Sequence, residues 1–186
     1  MKDPHIRQIL QRTELSKYIN DPHSKVVHEM KLPVASARID MAVINGSLHA
    51  YEIKSASDSL QRLPNQIAAY SLVFDYLTVV TEEKYIEKII ALVPDWVGVA
   101  VCSDTVGEEE FKEIKSPLLN KNKKAFYLAK LLWNDELIKI LTEQNIPFGK
   151  RDRNWLLCES LASGLDIATL SDVVRKTLKE RQHWKN

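Results

Sequence analysis

The sequence predicts a mixed α/β fold, with a central mixed β-sheet flanked by helices and a helical C-terminal extension. Three observations carry that expectation. Three β-rich runs follow one another within residues 25–53, with Asn45-Gly46 between the second and third. Helical and strand-like patterns then alternate over residues 57–115. From about residue 120 onward the spacing is helical alone.

Taken in order, Ile6, Ile9, Leu10, Leu15 and Tyr18 recur near helical spacing, so residues 3–19 read as one amphipathic helix, broken by Asn20-Asp21-Pro22. The β-rich runs cover residues 25–32, 38–44 and 47–53. Asn45-Gly46 predicts a tight type I′ hairpin, because both residues tolerate the positive φ that such a turn demands. Leu60, Leu63, Ile67, Tyr70 and Phe74 give residues 57–74 a helical period, with Ser57 or Asp58 as N-cap. Pro64 sits badly inside a single helix and well in the first turn of one that starts later. A strand over 76–81, a helix over 82–92 and a strand over 97–102 follow. Residues 104–107 read as a turn and 110–115 as an edge strand. The later helices are interrupted at Pro147-Phe148-Gly149 and near Gly164. The Lys-rich stretch 121–124 marks the division between a core over 1–118 and a helical extension over 119–186.

Composition narrows the function classes. The chain has 186 residues, 45% of them hydrophobic and 27% charged, an ordinary globular composition with length for one well-buried core, or one domain with an appendage. Formal net charge is only +1, so a polyanionic partner would have to be met by a local patch. Cys102 and Cys158 stand alone, without the spacing of a zinc site, and predict reduced thiols. No apolar run nears the roughly 20 residues that span a bilayer, and the opening residues lack a leader pattern. The expectation is a cytoplasmic protein with no membrane partner.

The hairpin carries the chemistry. Glu52 and Lys54 lie two apart, so they share one face of their strand while Tyr51 and Ile53 take the other. Pairing across Asn45-Gly46 gives residue numbers that sum to about 91 or 92, which puts Asp40 opposite residue 51 or 52. Two carboxylates that close repel unless a cation separates them. Hard oxygen donors of this kind suit Mg²⁺ or Mn²⁺, with water and phosphate in the remaining positions. Lys54 beside them would act on the attacking water or on charge building at phosphorus. A strand that alternates Glu and Lys is also a common solvated face; the upstream acid and the apolar flanks favour the site.

Asp40, eleven further residues and then Glu52-Ile53-Lys54 resemble the PD-(D/E)XK, restriction-endonuclease-like nuclease superfamily. Within it, Tyr51-Glu52-Ile53-Lys54-Ser55 followed by Asp58-Ser59-Leu60 and Arg62-Leu63 is similar to a small group of phage and mobile-element proteins. Gln66 and Tyr70 look like the Gln-x-x-x-Tyr signature of several branches, and Glu29 matches an upstream acid. The proline of the superfamily name is replaced by Ile39. The resemblance implies a restriction-endonuclease-like core and a metal-dependent deoxyribonuclease. Asp40, Glu52, the Ile53 carbonyl and Glu29 would be the metal ligands, Lys54 would work on the nucleophile, and Gln66 and Tyr70 would brace the site. Arg62 would hold a phosphate or pair with Asp58 or Glu52.

The basic set Lys150, Arg151 and Arg153 at the start of a helix suits phosphate contact, in an outline similar to helix-extended-helix modules of the SAP kind. A plain helical hairpin packed on the sheet is the competing reading. The apolar face of residues 166–183 predicts docking or homodimer formation. His23, His28 and His49 are assigned to no site. Two other functions fit the fold: a non-catalytic nucleic-acid binder, and an interaction module for a host or phage protein.

Overall fold

The computed structural model describes every residue except Ala35, Ala56, Ser57, Val106, His183, Lys185 and Asn186. Ser57, one of the two N-cap candidates, and His183, the end of the last predicted helix, therefore lie outside the described residues. The chain opens with α1 (Asp3–Arg12) and α2 (Ser16–Ile19). These replace the single expected helix. The Thr13 hydroxyl donates to the Ile9 carbonyl at 2.6 Å, and the chain turns so that Leu15 drops into the core.

The hairpin region forms β1 (Lys25–Lys31), β2 (Arg38–Ile44) and β3 (Leu48–Lys54). A 3₁₀ turn over Leu60–Arg62 leads into α3 (Leu63–Ser71), with Pro64 in its first turn. The proline needs no N–H there, so α3 starts at residue 63. Strands β4 (Tyr76–Thr81), β5 (Gly98–Thr105) and β6 (Glu108–Lys115) complete the sheet, with α4 (Ile86–Leu92) between β4 and β5. Gly107, at φ 86°, turns the chain between β5 and β6. Among the described residues four helices follow: α5 (Ala125–Ala129), α6 (Asn134–Glu143), α7 (Asn154–Gly164) and α8 (Ile167–Glu180).

The six strands lie in sequence order. β1, β2 and β3 pair antiparallel, β3, β4 and β5 parallel, and β5 with β6 antiparallel. The sheet is mixed and helix-flanked, as the alternating pattern predicts. The β2–β3 turn differs from the expectation. Ile44 pairs with Leu48, leaving Asn45, Gly46 and Ser47 as the loop. Neither Asn45 nor Gly46 takes a positive φ. Instead the Asn45 side chain accepts from the Ser47 N–H at 3.0 Å, an Asx turn that does the work of a type I′ turn.

Alternation along each strand divides the core in two. Ala42, Ala50, Leu77 and Val79 face α3 and the C-terminal helices in one large cluster, while Met41, Tyr51, Ile53 and Val80 meet α1 on the other side. Residues 119–186 share the larger cluster through Leu128, Leu137, Leu157 and Leu161. The expected docking face of α8 is spent internally as well, since Leu170, Val174 and Leu178 are fully buried there. An amphipathic stripe signals burial and does not say against what.

The Lys-rich stretch is stitched to the sheet. Asn120 donates to the Phe74 carbonyl at 2.8 Å, and Lys123 pairs with Asp75. Asp75 is buried, accepts from the Leu48 N–H at 2.7 Å, and lies 3.9 Å from Arg175 of α8. One carboxylate thus ties β3, β4, the connecting segment and α8 together. Asp75→Ala would leave the part-buried Lys123 without its acid and the Leu48 N–H without its acceptor, while Arg175 keeps Asp172. It is expected to lower the unfolding free energy by about 3 kcal/mol, read by urea denaturation monitored by circular dichroism.

Candidate active site

β2 and β3 pair as Met41 with Tyr51 and Ala42 with Ala50, so their residue numbers sum to 92 and Asp40 comes opposite Glu52. The ladder ends at Met41 and Tyr51. Beyond it the Ile53 N–H donates to Asp40 Oδ2 at 2.8 Å, a side chain standing where backbone pairing would continue. β3 runs on beside β4, with Glu52 next to Val79 and Lys54 next to Thr81. Glu52 and Lys54 point to the α3 side and are buried, with relative exposures of 2% and 6%.

Burial of that pair is possible because each polar atom is answered. Lys54 Nζ donates to Glu52 Oε1 at 2.6 Å and to Gln66 Oε1 at 2.8 Å. Gln66 Nε2 donates to the same Glu52 oxygen at 2.7 Å. The Tyr70 hydroxyl donates to Glu52 Oε2 at 2.8 Å and lies 3.0 Å from the Arg38 carbonyl, bracing β2 as well. Gln66 and Tyr70 stand one turn apart on α3, which is what aims both at one carboxylate. Burial and the charge on Glu52 push the Tyr70 phenol well above its ordinary range, so it stays a donor.

Asp40 is the strained partner. Burial first, and then the charge on Glu52, raise its pKa from 3.8 to about 7; the Ile53 N–H and Arg7 pull the other way without overcoming them. Asp40, Glu52, Ile53 and Lys54 line one cleft of about 1140 Å³, together with Lys31, Asp58, Arg62 and Gln66. Asp58 does not cap α3; it accepts from the Ser55 N–H at 2.8 Å and shapes the chain after β3. Arg62 is exposed on the rim and pairs with neither Asp58 nor Glu52 among the described residues.

Glu29, expected among the metal ligands, is not one of the residues that line the cleft. Its backbone sits in the left-handed region at φ 53°, and its carboxylate meets Arg7 at 2.7 Å and Arg38 at 2.6 Å. Two guanidinium groups already answer its charge. Among the described residues no group of three or more His, Cys, Asp or Glu side chains could hold a metal. Two carboxylates remain: Asp40 and Glu52 come opposite each other at the end of the β2–β3 pair and line one cleft, where burial first, and then the charge on Glu52, holds Asp40 short of ionisation. A cation shared with Glu52 would relieve that. Mg²⁺ and Mn²⁺ need only one or two protein carboxylates, with water and phosphate completing the shell.

Other candidates stay apart from the cleft. Lys150, Arg151 and Arg153 are exposed around the α6–α7 connection and do not line it. His28 bonds Gln11 at 3.0 Å and His49 bonds Thr78 at 2.9 Å. Cys102 and Cys158 are free, and burial pushes their thiols up to about 12 and about 11, which leaves them unreactive. Sequence reasoning missed Arg7, which donates to the Asp40 carbonyl at 2.9 Å and to Asp40 Oδ1 at 3.0 Å. No local pattern marks it, because 33 residues separate the two.

These features define a mixed α/β protein with an acid–acid–lysine cluster at the end of an antiparallel strand pair. The chain belongs to the bacteriophage P4 protein cII family, whose model matches residues 3–186. It is 33% identical over 159 residues to Protein cII of Enterobacteria phage P4, a match covering 85% of this chain and 60% of that protein. The chain thus spans about 60% of its curated relative's length. Among solved structures, a protein of unknown function from Silicibacter pomeroyi aligns at TM-score 0.47 and 13% identity, covering 79% of this chain and 94% of that one. Among the described residues, no helix is long and apolar enough to cross a membrane.

A carboxyl group that prefers to be neutral weakens the fold when it ionises. With a folded pKa near 7 against 3.8, Asp40 removes stability as pH rises from about 4 to about 7. Asp40→Asn keeps the shape and drops the charge. Its melting temperature relative to wild type, measured without divalent metal, is expected to climb across that interval and level off above it.

Proposed function

We propose that the chain is a divalent-metal-dependent nuclease of the PD-(D/E)XK, restriction-endonuclease-like type, which hydrolyses DNA phosphodiester bonds. The observation that carries the reading is the set Asp40, Glu52 and Lys54 in one cleft, with Lys54 2.6 Å from Glu52. Asp40, Glu52 and the Ile53 carbonyl are the groups that would hold Mg²⁺ or Mn²⁺. Such an ion would polarise the phosphate and offset charge on the departing oxygen.

The remaining work falls to the chain. Gln66 and Tyr70 fix the Glu52 carboxylate so that it cannot turn away from Asp40. Lys54, held between Glu52 and Gln66, presents an ammonium group to the water that attacks phosphorus and to the charge that develops there. Arg62 on the rim, which has no ion pair with Asp58 or Glu52 among the described residues, supplies a phosphate contact, and Lys31 lies on the same cleft. Lys150, Arg151 and Arg153 offer a second basic group for the strand beyond it. Net charge of +1 matches binding confined to such local patches.

The purified chain is to be incubated with Mn²⁺ and single-stranded, nicked, branched and duplex DNA. Asp40→Ala and Lys54→Ala are each expected to reduce cleavage at least about a hundredfold, and chelation of the metal to abolish it. Tight DNA binding with no cutting of any form would make the chain a binding protein on this fold. Neither cutting nor DNA binding would leave an interaction module.

A further inference from the structure

Arg7 reaches Asp40 from a separate element. α1 buries Ile6, Ile9 and Leu10 against the second core, which leaves Arg7 on the helix flank beside the acid end of β2. Its guanidinium donates to the main-chain oxygen of Asp40 at 2.9 Å and to its Oδ1 at 3.0 Å. The same group meets Glu29 at 2.7 Å and Asp3 at 3.4 Å. Three acids from α1, β1 and β2 thus converge on one cation whose side chain is only 19% exposed.

We infer that Arg7 is the positioning residue that holds the Asp40 carboxylate in the orientation needed to share a dication with Glu52. This rests on the nuclease reading above. Gripping both the backbone and the side chain of one residue fixes its rotamer, which a single-point contact does not do. Oδ2 is fixed by the Ile53 N–H, and Arg7 fixes Oδ1. A carboxylate with about four lone-pair sites keeps others free for an ion after both bonds are made. The left-handed backbone at Glu29 belongs to the same device, since it is a disfavoured conformation whose carboxylate meets Arg7. Arg7 is not among the residues that line the cleft, so its influence passes through Asp40 and not through the substrate.

The test is Mn²⁺ affinity of the full chain by isothermal titration, for wild type, Arg7→Ala, Arg7→Lys and Glu29→Gln, with folding checked by circular dichroism. Arg7→Ala is expected to weaken Mn²⁺ binding by about tenfold or more, in the range seen when groups orienting a metal ligand are removed. Arg7→Lys should fall between it and wild type, and Glu29→Gln should show a smaller loss. Cleavage should lose kcat while KM for DNA stays unchanged. If Arg7→Ala does not fold, Arg7→Gln is judged by the same criteria. Unchanged affinity in the folded variant overturns the inference. So does tighter binding, which would make Arg7 a competitor of the ion, and so does a change confined to KM. A wild type that binds no Mn²⁺ overturns the nuclease reading and this inference together, whereas a wild type that binds with indifferent Arg7 variants overturns this inference alone.

Discussion

A carboxyl group as buried as Glu52 must have its oxygens answered by hydrogen-bond donors, and here Lys54, Gln66 and Tyr70 supply them. Much of the architecture around the cleft follows from meeting that demand. α3 must dock with one face over the end of β3, which requires the chain after Lys54 to turn quickly. Asp58 and the first-turn Pro64 produce that turn. Tyr70 then spans from Glu52 to the Arg38 carbonyl, so the helix that satisfies the acid also sets the spacing of β2 where its ladder with β3 has ended.

The sheet has two ends with opposite electrostatic characters. At the β3 start, Asp75 is matched by Lys123, Arg175 and the Leu48 N–H, and the result is a closed structural tie. At the β3 end, the charges face a cleft, and Asp40 is left short of what it needs to ionise. Completed charge networks rigidify a fold, whereas an uncompleted one in a cleft is where an external ion or substrate has something to gain. That contrast separates a stabilising ion cluster from a candidate site when both are built from acids and bases.

Membership of the phage P4 protein cII family covers nearly the whole chain, and the helices after residue 119 belong to the same packed body as the sheet. Any role for them in contacting nucleic acid must therefore use exposed groups, such as Lys150, Arg151 and Arg153, since Leu137, Leu157, Leu161, Leu170 and Val174 are buried in the core. The relative from phage P4 extends well beyond the matched portion, so properties of that longer protein need not reside in this body.

The hairpin register, the shared face of Glu52 and Lys54, and the strand–helix alternation were readable from residue order, because period-two alternation and turn-forming residues are local properties. The pairing of Gln66 with Tyr70 was readable for the same reason, being one helical turn. The break between α1 and α2, the Asx turn at Asn45 and the capture of Glu29 by two arginines were not. Each depends on which side chain arrives from elsewhere, and a helix stripe or a lone acid does not name its partner. Arg7 is the clearest instance: no local pattern marks it, and only folding of α1 across the sheet brought it to Asp40.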